Sequence, residues 1–202
     1  MAGWGQDQRI RHFADSLAEA YLLNPQAIDV NLINTVLVRS SREGDLERFK
    51  DYQSRFETAN SSQERRYFLN ALGYFKDDAL QDLALEYILT GPLRSNELTI
   101  ISGGIRNTDA GKDKVMRWIM ENYSDLTSRM PTHSAITILG YGANGNISGR
   151  ISRARDFIHK TKDIIPGTEG YLAKIEEEVL DRERLRIQVI RSIEKYLSDQ
   201  GQ

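Results

Sequence analysis

The chain has 202 residues, 40% of them hydrophobic and 28% charged, which is enough to enclose a substantial core. Its 27 basic and 29 acidic residues leave a net charge of -2, without the cationic excess that duplex nucleic-acid binding requires. With no cysteine, neither a disulfide framework nor thiolate chemistry is expected, and a reducing, cytoplasmic setting is favoured. No apolar run approaches the roughly 20 residues that cross a bilayer, so a soluble chain without a membrane partner is expected.

In chain order, Met1 to Gln8 lacks the basic start and apolar stretch of a signal peptide and reads as a turn around Trp4. Arg9 to Leu23 is rich in good helix formers and stops at Asn24-Pro25, because the residue before a proline avoids the helical region. A helix beginning near Asp45 is predicted from the stripe Leu46, Phe49, Tyr52 and Phe56. Ser61 and Glu64 have capping-box spacing ahead of a helix through Tyr67 and Leu72. From Asp78 the apolar residues Leu80, Leu83, Ala84, Tyr87 and Ile88 define another helix face.

Leu98–Ser102 and Ala135–Leu139 are apolar enough to pass as buried strands, but neither has an alternating partner. After Gly111, Val115, Trp118, Ile119 and Tyr123 again fall at helical spacing. Thr168 to Leu197 closes the chain as a long helix, its Asp181–Arg186 run read as a solvated, ion-paired face. Breaks at Ser41–Gly44, Asn60–Ser62, Gly73 and Gly91-Pro92 separate segments of three to four turns. The expected fold is all-α: about ten helices in an irregular HEAT- or armadillo-like stack of antiparallel pairs, within a single domain over 1–202.

Candidate chemistry is sparse. His12, His133 and His159 have no second histidine at i+4, so the helical zinc pair is absent and solvated positions are expected. Gly140-Tyr-Gly142-Ala-Asn-Gly145 formally matches G-x-G-x-x-G, yet no β-rich stretch follows to complete a dinucleotide fold. An inter-helix loop is the better reading. Ser102–Gly111 reads as a second glycine-rich connection, with Arg106, Asn107 and Asp109 at its tip.

Asn70-Ala-Leu-Gly73, Asp77-Asp78-Ala-Leu80 and Leu93-Arg94-Ser-Asn-Glu97 are followed by Ser102-Gly-Gly-Ile105, Trp118-Ile119 and Glu121-Asn122-Tyr123. This spread pattern, covering about Ala27 to Ser198 and closing on Ile193–Leu197, resembles the C-terminal domain of aminopeptidase N-type zinc peptidases. The puromycin-sensitive and endoplasmic-reticulum aminopeptidases belong to that family. Tyr123 stands where tryptophan is common, and no arginine lies near Gly73 and Tyr74, where some relatives carry a peptide-binding one.

The resemblance implies a non-catalytic cap that closes over a separate zinc domain, encloses its cavity and helps select peptides. Zinc would belong to that parent domain, whose H-E-x-x-H and G-x-M-E-N motifs are absent from these 202 residues. It also implies two partners, the parent catalytic domain and a peptide. The peptide-facing candidates are Asn144 and Asn146, by alignment with a cavity-facing stretch in relatives, and the loop residues Arg106 and Asn107. An independent helical-repeat interaction module is the alternative reading of the same helices.

Overall fold

The computed structural model describes residues 8–143 and 148–200, and among these the secondary structure is entirely helical apart from turns, with no strand. The helices are α1 (Gln8–Leu23), α2 (Val30–Ser41), α3 (Leu46–Thr58), α4 (Ser62–Leu72), α5 (Asp78–Thr90) and α6 (Ile100–Ile105). They continue with α7 (Asp109–Glu121), α8 (Tyr123–Ser128), α9 (Thr132–Ala143), α10 (Ser148–Lys160) and α11 (Thr168–Gln200). The all-α expectation is met. None of the described helices is long and apolar enough to cross a membrane.

Local chemistry starts these helices where the chain changes direction. Asp29, Asp45, Ser61 and Asp77 adopt extended backbone and accept from the N–H groups of Asn31, Arg48, Glu64 and Leu80, relieving donors that the first turn leaves unpaired. The Ser61–Glu64 signal is realised with a shift: the Glu64 carboxylate accepts from the Asn60 N–H at 3.3 Å. Leu98–Ser102 is not a strand. Ile100 starts α6, and Ala135–Leu139 lies inside α9.

Two compact units form, Met1–Thr108 and Asp109–Gln202. In the first, α1 packs on α2, α2 and α3 pack on α4, and α6 sits against α4 and α5. Its core is aromatic, with Tyr52 and Phe68 rings 5.5 Å apart and Phe49 edge-on to Phe75 at 5.3 Å. Such pairs add about 1 kcal/mol each beyond the apolar area they bury. The α4–α6 contact depends on two glycines. A Cβ on Gly73 would meet the Ile101 carbonyl oxygen at 2.3 Å, and one on Gly104 would meet the Gly73 oxygen at 2.6 Å.

In the second unit α9 is central, touching α7, α8, α10 and α11. Val115, Ile119, Leu126, Leu139, Ala154 and Leu172 are fully or almost fully buried there. The Tyr123 ring meets Phe157 edge-on at 5.5 Å, and the Tyr123 hydroxyl accepts from the Ile165 N–H at 3.3 Å. That tie holds the turn before α11 against α8.

Candidate functional site

Arg106 and Asn107 follow α6 directly. The Arg106 N–H donates to the Ser102 carbonyl at 3.1 Å and the Asn107 N–H to that of Gly104 at 3.2 Å, so both backbones are fixed by the end of the helix. Arg106 is half-buried and Asn107 is exposed. Both belong to the first unit. Asn144 and Asn146 lie outside the described residues.

The chain on either side of that asparagine segment is described, and it is firmly held. Gly140 and Gly142 are not in a loop: both are buried within α9. A Cβ on Gly142 would approach the Met116 Cα to 2.8 Å, and one on Gly140 would strike the Tyr171 ring at 2.6 Å. The glycines therefore serve close helix packing, which outweighs their poor helix propensity.

Beyond the segment, Arg150 is 0% exposed and donates through Nε and Nη2 to the Asp113 carboxylate at 3.0 and 3.3 Å. Its Nη2 also donates to the Asp109 carbonyl at 2.9 Å. The hydrogen bond from Arg150, joined by Arg153, holds the Asp113 carboxyl below the usual carboxylate range. Gly142 and Arg150 thus anchor both sides of the segment to α7. Nothing in Ser-Gly-Arg distinguished Arg150 from a solvated arginine, and sequence reasoning missed it.

A second buried ion pair shapes the first unit. Arg65 donates from Nε and Nη2 to the two Glu97 oxygens at 2.9 and 2.8 Å, and its guanidinium lies 4.0 Å from the centre of the Phe56 ring. The Arg94 N–H donates to the same carboxylate at 2.9 Å. Burial pushes the Glu97 carboxyl up, but the hydrogen bonds from Arg65 and Arg94 and their charges outweigh it and leave it below its ordinary value. This fork fastens the Gly91–Thr99 connection onto α4.

Of the grooves along the described residues, two combine apolar with charged lining. One, of about 200 Å³ in the first unit, has Phe49 and Tyr87 in its floor, Leu46 and Leu83 on its walls, and Lys50 and Glu86 among its lining residues. Leu46 and Leu83 were expected on buried stripes, yet they are 45% and 41% exposed. Tyr87 donates to the Glu57 carboxylate at 2.6 Å, and burial, reinforced by that acceptor, pushes its hydroxyl pKa up. The other groove, about 240 Å³ in the second unit, runs along α10 and α11 with Arg155, His159 and Glu169 as polar lining and Ile158 and Leu172 as apolar lining.

The three histidines are exposed on separate helices, α1, α9 and α10. Among the described residues no cluster of three or more His, Asp or Glu is placed to hold a metal. Trp118, which shares helical spacing with the buried Val115 and Ile119, is itself only half-buried, and its carbonyl accepts from the Asn122 side-chain amide at 2.9 Å.

Compared with known proteins, residues 1–180 match the model of the ERAP1-like C-terminal domain. The chain belongs to that family. The match ends at residue 180, short of the Ile193–Leu197 stretch included in the resemblance read from the sequence. Two relatives from Saccharomyces cerevisiae are similar to it. Alanine/arginine aminopeptidase is 25% identical over 131 residues, 64% of this chain and 15% of the relative. Aminopeptidase 2, mitochondrial, is 23% identical over 182 residues, 88% of this chain and 19% of the relative. The chain therefore spans less than a fifth of the length of either relative.

Proposed function

We propose that this chain acts as the non-catalytic C-terminal cap of a zinc-dependent aminopeptidase, closing over the active-site cavity of a separate catalytic domain and helping to select peptides. The observation that carries the reading is the family match over residues 1–180, together with two aminopeptidase relatives in which the matched stretch is a small part of the whole. In this reading zinc and the bond-breaking groups reside in the catalytic domain, and this chain contributes walls. A stack of antiparallel helix pairs, HEAT-like in kind, would supply such a wall.

The peptide-facing residues proposed are Asn144, Asn146, Arg106 and Asn107. Amide side chains both donate to and accept from a peptide backbone, and the arginine suits a peptide carboxylate. The anchoring of α9 and α10 to α7 holds the described residues on either side of Asn144 and Asn146, and a contact residue is useful only when its flanks are held.

The test is a panel of aminoacyl fluorogenic substrates with added zinc, offered to the chain alone and then to a family catalytic domain with and without it. The expected result is no turnover by the chain alone, with direct binding to the catalytic domain and altered turnover in the mixture. Metal-dependent turnover by the chain alone would overturn the reading.

A further inference from the structure

Helix α11 is two different helices in one. Its first part packs into the second unit through Leu172, Ile175 and Val179, the last being 2% exposed. From Leu180 onward, through Ser198, every residue is exposed. The family match ends at the same place, residue 180. The rest of the helix is therefore an appendage to the packed domain rather than its last layer. It is not a polar one: Leu185, Val189, Ile190, Ile193, Tyr196 and Leu197 are 44–63% exposed.

These side chains are ordered by position. Leu185, Val189, Ile193 and Leu197 succeed one another at intervals of four, which makes them one continuous ridge on the helix surface. Ile190 and Tyr196 flank it, while Arg184, Arg191 and Lys195 lie on the far side. The ridge is also its own mirror along the axis. Leu185 and Leu197 stand equally far on either side of Arg191, and so do Val189 and Ile193. A two-fold axis at that height sets Leu185 against Leu197 and Val189 against Ile193 of an antiparallel second copy, and brings Arg186 to the ring of Tyr196.

We infer that the exposed half of α11 is a self-association surface, pairing with the same segment of a second copy of this chain in an antiparallel, crossed arrangement centred near Arg191. Interlocking ridges of residues four apart fix the crossing at about -50°, the commonest class of helix packing. Each of the six apolar side chains losing about 75 Å² hides roughly 900 Å² in all, the low end for a specific interface, so the dimer is a weak one. Charge opposes it little: Arg184, Arg191 and Lys195 face away, Arg184 pairing with Asp181 at 3.2 Å, and of the two arginines on the ridge side Arg182 donates through Nε to the Glu178 carbonyl while Arg186 meets the Tyr196 ring. A lipid surface fits less well: the acidic Asp181, Glu183, Glu194 and Asp199 offset four of the tail's five positive charges, whereas interfacial helices keep a strongly basic polar face.

The inference concerns the tail alone and does not rest on the cap reading. Sedimentation velocity of the 202-residue chain from about 1 to about 200 µM spans the range in which so small an interface associates. The mass is expected to climb from 23.1 kDa toward twice that value. The double variant Val189→Glu, Ile193→Glu is expected to stay at the single-chain mass with an unchanged circular dichroism spectrum, since both positions are exposed. Orientation is read by cysteine pairing, which is clean because the chain has no cysteine of its own. Val189→Cys chains mixed with Ile193→Cys chains should oxidise to the mixed dimer in several-fold excess over either homodimer. A wild-type mass that stays at one chain throughout overturns the inference. So does an association that the double glutamate variant leaves intact, or an excess of the two homodimers, which would mean parallel pairing or collision.

Discussion

Glu97 holds its place through one arginine side chain and one backbone N–H, and it is almost wholly enclosed. Replacing it by alanine leaves the Arg65 guanidinium buried beside Phe56 with its main partner gone. Loss of one member of such a pair costs about 3 kcal/mol, which urea unfolding of Glu97→Ala should read as a lower midpoint at pH 7. The direction of its titration adds a second expectation. A carboxyl whose folded pKa is lowered contributes stability that is fully present above its unfolded value, about 4.3 for glutamate, and that is lost as pH falls through the lowered folded value. Unfolding midpoints measured from pH 6 downward should therefore fall more steeply below about pH 4.3 in the wild type than in Glu97→Ala. Gly142 makes the matching test in the second unit. Alanine there has nowhere to go against the Met116 backbone, and overpacking of that kind costs about 2 kcal/mol despite the better helix propensity of alanine. A melting temperature equal to or above that of the wild type would show that α9 and α7 can part freely.

The helices differ in how much each depends on its neighbours, and α11 differs most within itself. Truncation after Leu180 removes a stretch whose described residues, through Ser198, are all exposed, so at sub-micromolar concentration the melting temperature should change by no more than about 2 °C. Truncation after Lys174 also removes Ile175 and Val179 and should lower it by more than about 5 °C. Calorimetry of the two fragments separates these outcomes. Most elements were legible in the sequence, since the stripes Phe49-Tyr52-Phe56 and Val115-Ile119 are buried as their spacing predicts, and Asn24-Pro25 and Gly91-Pro92 fall at helix ends. The illegible features depend on which surface each residue meets. Gly140 and Gly142 have the look of a loop, and only the approach of α7 and α11 makes them helix residues. Leu46 and Leu83 keep perfect helical spacing, yet the stripe is wider than the neighbouring helices cover. Arg150 belongs to the same class: its burial is decided by Asp109 and Asp113, which lie far from it in sequence.

At the scale of the whole molecule, two helical units with their own cores present grooves and loop ends, and their described residues place no metal-holding cluster. The family to which the chain belongs is named for a position in a larger protein, and the cap proposal rests on that match. A cap that encloses a cavity must change which peptides fit inside. It should therefore act on length more than on the residue next to the cleaved bond. The most direct measurement compares turnover of a series of peptides sharing one N-terminal residue but increasing in length, by a family catalytic domain with and without this chain. The account predicts that adding the chain shifts the length at which kcat/KM is greatest, and that Asn144→Ala with Asn146→Ala reduces the shift while leaving short aminoacyl substrates unaffected. Identical length profiles, under conditions where the two proteins demonstrably bind each other, would contradict it.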